Sequence, residues 1–184
     1  MHYKRRQILF VDGYNMIGAW PELIELKRQD QLAQARDQLL FELSEYSKYQ
    51  TIQIIVVFDA QFVPGLTQIY DYHQIEVVFT QTGETADAYI EREVANWISP
   101  LNRVTVATSD MAEQWLIFQR GAIRLSANEL FMEVQSHKRQ IRQTVKNYYS
   151  QLLRRKSPWK TDQLELLDAL RFSLNDSKNN NKRS

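Results

Sequence analysis

The sequence predicts an α/β fold in which helices cover both faces of a central, mostly parallel sheet. Two observations lead to this prediction. Several short segments are apolar throughout, which is typical of strands buried on both faces of a parallel sheet. Segments with helical spacing of their apolar residues alternate with these strands along the 184-residue chain.

The predicted strands are short apolar blocks bounded by turn residues. The first, "QILFVD", ends at a turn that contains glycine, and the second, "IQIIVVF", is rich in β-branched residues. The "GAIRL" segment adds a short fifth strand. The other four predicted strands cover residues 7–12, 52–58, 75–80 and 103–108.

Helix ends are indicated by capping residues and prolines. Pro100 follows the predicted helix 84–98 and marks its end. Asp110 with Glu113, and Ser126 with Glu129, have the spacing of capping boxes. The remaining predicted helices are a short one in "WPELIEL" and longer ones at residues 31–49, 111–119, 126–155 and 162–174.

Charge divides the chain into an acidic body and a basic end. Residues 1–135 hold 11 Lys and Arg against 18 Asp and Glu, a net charge of −7. Residues 136–184 hold 12 against 4, a net charge of +8. We therefore predict an acidic α/β domain at 1–135, a basic helical extension at 136–175 and a disordered polar tail at 176–184. The basic extension favours a polyanionic partner, although a solvated helix face is the alternative.

Several protein classes are excluded by what the sequence lacks. No apolar run approaches the roughly 18 residues of a membrane span or the length of a signal-peptide core, so we expect a cytoplasmic protein without a membrane partner. The chain has no cysteine, which excludes disulfides and cysteine zinc sites. Glycine-rich phosphate loops and serine-hydrolase motifs are also absent from the sequence.

Aspartates lie at or just beyond the ends of the predicted strands. Asp12 ends the first predicted strand, Asp59 and Asp110 follow two others, and Asp87 falls in the first turn of the predicted helix 84–98. Each has a structural explanation, as a turn residue, a loop residue or a helix cap. The carboxyl ends of parallel strands share one edge of the sheet, so we expect these acids to converge there. Converging carboxylates repel one another unless a cation lies among them.

The expected cation is Mg²⁺ or Mn²⁺, because the available ligands are hard oxygens. The three histidines are scattered and have no partner at ligand spacing. Chemistry by carboxylates and a divalent metal most often acts on phosphodiesters.

Five sequence blocks resemble one known family. They are "VDGYNMIGAWPEL", "VVFDA", "TGETADAYIE", "VATSDMAEQW" and "GAIRLSANEL". Together they resemble the YacP-like branch of the NYN-domain ribonucleases, which are relatives of the PIN nucleases. The resemblance implies a PIN-like three-layer α/β fold, divalent-metal-dependent cleavage of RNA and action in the cytoplasm. Some relatives cleave mRNA in association with the ribosome, so that partner is implied as well.

The resemblance also assigns the site. The first catalytic acid of the family falls on Asp12 and its motif asparagine on Asn15. The acid of the "TAD" block falls on Asp87, and that of the "TSD" block on Asp110. We expect the three aspartates to bind the metal, and Asn15 to orient Asp12 or to contact the scissile phosphate.

A second set of residues is assigned to the same edge less directly. The "TSD" block also places Thr108 and Ser109 there. PIN-type sites often hold four acids, and here the fourth is either Asp59 or Glu91, which follows Asp87 by one helical turn. Whether one or two metals bind therefore stays open.

An acidic site repels RNA, so other residues must hold the substrate. The basic extension supplies candidates for contacts with phosphate, and we predict that its cationic side chains bind RNA. The predicted function is a metal-dependent endoribonuclease that acts on single-stranded RNA, mRNA on the ribosome in particular. The alternative is a module that binds RNA or the ribosome without cleavage. The predicted RNA-binding residues are Lys138, Arg139, Arg142, Lys146, Arg154 and Arg155.

Overall fold

A computed structural model gives the fold. It describes residues 5–59, 69–72, 75–109, 121–156 and 166, with the backbone alone for 69–72 and 153–156. The strands are β1 (Arg6–Asp12), β2 (Gln53–Phe58), β3 (Ile69–Tyr72), β4 (Ile75–Phe79), β5 (Asn102–Ala107) and β6 (Ile123–Leu125). The helices are α1 (Gly13–Ala19), α2 (Pro21–Arg28), α3 (Leu32–Gln50), α4 (Ala86–Trp97) and α5 (Ala127–Lys156).

The six described strands form one sheet with the order β3-β4-β2-β1-β5-β6. All neighbouring pairs are parallel except β3 and β4, so the predicted mostly parallel α/β sheet is confirmed. Along the chain, β2 pairs with one side of β1, and β4 then pairs with β2. The chain next returns to the centre of the sheet, where β5 pairs with the other side of β1. The strand order therefore reverses between β1 and β5, and α/β sheets bind ligands at the carboxyl ends of the strands beside such a reversal.

Both faces of the sheet are buried. Successive residues of β1 point alternately to the two faces. Leu9 and Val11 pack with α1, α2, α3 and the first turns of α5 in one core cluster. Ile8 and Phe10 pack with α4 in a second cluster on the other face. Two buried faces explain why the strands read as continuous apolar runs rather than as alternating ones.

Local capping explains where two of the helices begin. The Thr85 hydroxyl accepts a hydrogen bond from the Ala88 backbone N–H at 3.2 Å, so α4 begins two residues later than predicted. In α5, the Ser126 N–H donates to the Glu129 carboxylate at 2.7 Å, and the Glu129 N–H donates to the Ser126 hydroxyl at 3.2 Å. The predicted capping box at this helix is confirmed. The one predicted at Asp110 lies outside the described residues.

Two elements differ from the prediction. Helix α1 begins at Gly13, directly after β1, where the sequence indicated a turn. Strand β3 was not predicted, because its sequence "IYDY" is short and is interrupted by an acid. It pairs antiparallel with β4 at the edge of the sheet, where one side of a strand needs no partner.

The chain divides into two compact units, Met1–His137 and Lys138–Ser184. Helix α5 begins in the first unit, and its remaining turns belong to the second. The predicted division at residues 135 and 175 stays a prediction, since most of the last 28 residues lie outside the described ones. Among the described helices, none combines the length and the apolar character that crossing a membrane requires.

A carboxylate pair at the carboxyl edge of the sheet

Asp12 is both the last residue of β1 and the N-cap of α1. Its Oδ1 accepts a hydrogen bond from the Asn15 backbone N–H at 3.0 Å. The side chain is buried, with 5% of its surface exposed. Because the strand and the helix both fix its backbone, the carboxylate has little freedom to swing away from the edge.

Asn15 holds the second oxygen of this carboxylate. Its Nδ2 donates to Asp12 Oδ2 at 2.7 Å and, more weakly, to the Thr108 hydroxyl at 3.4 Å. Thr108 follows β5 directly and is buried. Asn15 therefore links the carboxyl ends of β1 and β5, which are adjacent in the sheet. The structure places Asn15 on Asp12, which corresponds to the first of its two predicted roles.

Asp87 lies in the first turn of α4, and its side chain reaches Asp12. When both carboxyl groups are ionised their charges repel each other, and when one is protonated it can hydrogen-bond to the other. Burial first, and this repulsion in addition, raise the pKa of Asp12 from 3.8 to about 6, although the hydrogen bonds from Asn15 act in the opposite direction. Two acids from distant parts of the chain thus share one partly desolvated position.

This arrangement fits a divalent metal. A cation beside these two carboxyl groups would relieve both the desolvation of Asp12 and its repulsion by Asp87. The donors are oxygens, which Mg²⁺ and Mn²⁺ prefer. Within the described parts of the chain, no group of three or more acids and histidines forms a complete metal site. The third predicted ligand, Asp110, lies outside those parts, so the described pair is one portion of the predicted site.

The residues that were assigned less directly lie nearby in the fold. Within the described residues, they form no group of three or more metal-binding side chains with Asp12 and Asp87. Asp59 directly follows β2, is half-buried and interacts with the Tyr14 hydroxyl through its charge. Glu91 is half-buried on α4, one turn after Asp87. Ser109 is exposed beside Thr108. Roles for these residues in metal binding stay predictions.

Sequence reasoning missed the contact that supports the Asp12 turn. A side-chain carbon added at Gly13 would lie 2.2 Å from the ring of Phe58, which is fully buried. Gly13 is therefore required by the close approach of this ring. The Tyr14 ring meets the same phenylalanine edge-on at 5.1 Å, and its hydroxyl accepts a hydrogen bond from Arg36 at 3.1 Å.

The predicted RNA-binding residues lie on α5. Arg139, Arg142 and Lys146 are exposed, at spacings of three and four residues that place them on one side of the helix. Lys138 is half-buried. The side chains of Arg154 and Arg155 lie outside the described residues.

Comparison with known proteins identifies the family. The model of the YacP-like NYN domain matches residues 9–172, which is most of the chain. The chain belongs to the YacP-like NYN domain family. The resemblance seen in the sequence blocks is thereby confirmed, and family membership supports a nuclease-like function related to RNA.

Relatives from Bacillus subtilis agree in sequence and in fold. The uncharacterized protein YacP of strain 168 is 46% identical over 144 residues, which cover 78% of this chain and 84% of that protein. A crystal structure of a tryptophan-to-leucine variant of Rae1 (YacP) superposes with a TM-score of 0.70 at 44% identity, covering 78% of this chain and 84% of that one. A second Rae1 (YacP) crystal structure has a TM-score of 0.68 at 39% identity and covers 94% of both chains.

Proposed function

We propose that this member of the YacP-like NYN family is a metal-dependent endoribonuclease that cleaves single-stranded RNA. The observation that carries the proposal is the Asp12–Asp87 carboxylate pair at the edge where the strand order reverses. A binding module gains nothing from such a pair, because carboxylates repel the phosphates of RNA. A nuclease needs it to bind a cation.

In this proposal the residues have distinct roles. Asp12, Asp87 and Asp110 hold Mg²⁺ or Mn²⁺, directly or through water. The bound cation supplies neutralisation of phosphate charge and lowers the pKa of a water molecule. Asn15 fixes both oxygens of Asp12, and Thr108 in turn contacts Asn15. Because hydrogen bonds to a metal ligand fix the orientation of that ligand, we assign Asn15 as a positioning residue.

The proposed reaction is hydrolysis with in-line attack. A water oxygen attacks the phosphorus atom, and the bond from phosphorus to the 3′ oxygen breaks. The products carry a 5′-phosphate and a 3′-hydroxyl. The chain has no cysteine, and His137, the histidine among the described residues, contacts Gln50 at the end of α3, which is consistent with water as the attacking group.

For substrate binding we propose the exposed basic side of α5. Replacing Arg142 and Lys146 by glutamine should weaken RNA binding and reduce its salt dependence. On single-stranded RNA, the loss of two phosphate contacts should make the negative slope of log K against log salt concentration shallower by about 1.4. The measurement is fluorescence anisotropy of a labelled RNA in EDTA over a range of KCl concentrations.

The control for this experiment removes the same charge elsewhere. Lys27 and Arg28 are exposed at the end of α2 and can be replaced by glutamine in the same way. The slope of this control should remain close to that of the wild type. Equal slopes for both double variants would show that the basic side of α5 is only a solvated surface.

We propose mRNA on translating ribosomes as the substrate in the cytoplasm, which the family resemblance supports. The test maps 5′ ends of RNA after incubation with Mg²⁺ or Mn²⁺, first on free RNA and then on translating ribosomes. The expected result is a set of new 5′ ends that disappears in EDTA. Intact RNA under both conditions would favour the alternative, a module that binds RNA or the ribosome without cleavage.

A further inference from the structure

The amino edge of the sheet, opposite the carboxylate pair, carries two adjoining grooves. The first has a volume of about 510 Å³ and lies where β1 and β2 begin, beside the last turn of α3. Its cationic lining residues are Arg5, Arg6 and Lys48.

The second groove has a volume of about 490 Å³ and lies beside the start of β5. It is lined by Arg103 and by the polar side chains of Ser99 and Asn102. Arg5 and Gln7 line both grooves, so the two form a continuous surface. We call this surface the amino-edge groove.

The charge of this surface is opposite to that of the body around it. Four of the 11 Lys and Arg residues in 1–135 line the groove, whereas none of the 18 acids of that segment is among its described lining. Lys48 pairs with Glu45 at 2.9 Å, and the Arg6 guanidinium lies 5.6 Å from the centre of the Trp97 ring. Over the described chain, no carboxylate forms an ion pair with an arginine of this groove.

We infer that the amino-edge groove binds the sugar–phosphate backbone of RNA at a distance from the cleavage site. Its cationic groups are spread along an edge rather than gathered around one point, which matches a repeating polyanion. Aromatic side chains are missing from the described lining, so the groove offers no platform on which a base could stack. Both features favour phosphate contacts that do not depend on sequence.

Strand β1 sets the separation between the groove and the carboxylate pair. Arg6 begins this strand and Asp12 ends it. Six steps of about 3.3 Å place the two positions roughly 20 Å apart. Because this distance exceeds the Debye length of about 8 Å at physiological salt, the groove can attract RNA without competing for the metal site.

The inference rests on the proposal that RNA is the substrate, and a binding experiment tests it separately from cleavage. Arg5→Gln combined with Arg103→Gln removes one of the three cations that line the first groove and both cations that line the second. We expect this double variant to bind a fluorescein-labelled 30-nucleotide RNA in EDTA about tenfold more weakly than the wild type at 0.1 M KCl. The salt slope should fall by about 1.4.

Matched variants identify the cause of any loss. Arg5→Lys with Arg103→Lys keeps the charge and should restore most of the affinity, and Lys27→Gln with Arg28→Gln should bind like the wild type. Amide chemical shifts of the ¹⁵N-labelled full chain give the location, with changes expected at Gln7 and Asn102 when RNA is added.

Two results would overturn the inference. One is equal affinity for the groove variant and the α2 control, and the other is the absence of shift changes along the amino edge. If the wild-type protein fails to cleave RNA but the groove variant still weakens binding, the nuclease proposal fails while the groove assignment stands. If the wild type cleaves RNA and the groove variant binds RNA as tightly as the wild type does, the groove assignment fails while the nuclease proposal stands.

Discussion

Asp12→Asn and Asp87→Asn are each expected to lower the rate of RNA cleavage by more than about 100-fold. Loss of a side chain that hydrogen-bonds a metal ligand already costs about 10–100-fold in metal sites, and these substitutions remove a charged ligand itself. Cleavage of an end-labelled single-stranded RNA in Mn²⁺ measures the effect, on translating ribosomes if free RNA is resistant. The control is Asp30→Asn, since Asp30 is exposed and has a φ of 59° that asparagine also adopts.

The Asp12→Asn variant should keep the wild-type fold, so a loss of cleavage can be assigned to the loss of the carboxylate. Asparagine keeps the Oδ1 acceptor for the Asn15 N–H. The Asn15 amide can rotate by 180° to accept from the new side chain, so that no two donors face each other. Circular dichroism and the thermal midpoint check this. A well-folded Asp12→Asn protein that cleaves at the wild-type rate would refute the assignment of Asp12.

The second large effect concerns stability without metal. Because the folded protein raises the pKa of Asp12 from 3.8 to about 6, its folded state binds protons more tightly than its unfolded state does. The favourable contribution of this group is complete below about pH 3.8 and is lost as the pH rises through 6. About two pKa units correspond to about 3 kcal/mol, of which about 2 kcal/mol falls between pH 4.5 and pH 7.5.

Comparison of wild type with Asp12→Asn isolates this contribution from the other acids. In EDTA, the free energy of unfolding of the variant relative to the wild type should increase by about 2 kcal/mol from pH 4.5 to pH 7.5. Urea denaturation at both pH values provides the measurement. A difference that does not change with pH would mean that Asp12 is neither strongly desolvated nor repelled by Asp87.

Much of the fold could be predicted from the sequence because its elements carry local signals. Strand β1 is a continuous apolar run, and burial on both faces of a parallel sheet produces such runs. The capping box at Ser126 and Glu129 marks the start of α5 by residue types that bond within four positions of each other. Signals of this kind need no knowledge of the tertiary structure.

The remaining features depend on contacts between distant segments. The close approach of Gly13 to Phe58 joins the first residue of α1 to the last residue of β2, and neither residue type predicts it. The sequence predicted that Asp12 and Asp87 share one metal site, but not that the two carboxyl groups interact directly, because that depends on how α4 lies across the sheet. The amino-edge groove was not predicted because the net charge of residues 1–135 as a whole is negative, which conceals a local group of cations.

Binding of Mn²⁺ tests the central claim most directly. Isothermal titration of the metal-free protein at pH 7.5 should show saturable binding in the wild type and in Asp30→Asn. Asp12→Asn and Asp87→Asn should each bind at least tenfold more weakly, and the wild-type stoichiometry will decide between one ion and two. If instead both site variants bind Mn²⁺ as tightly as the wild type, the cation does not lie between Asp12 and Asp87, and the proposed nuclease site is wrong.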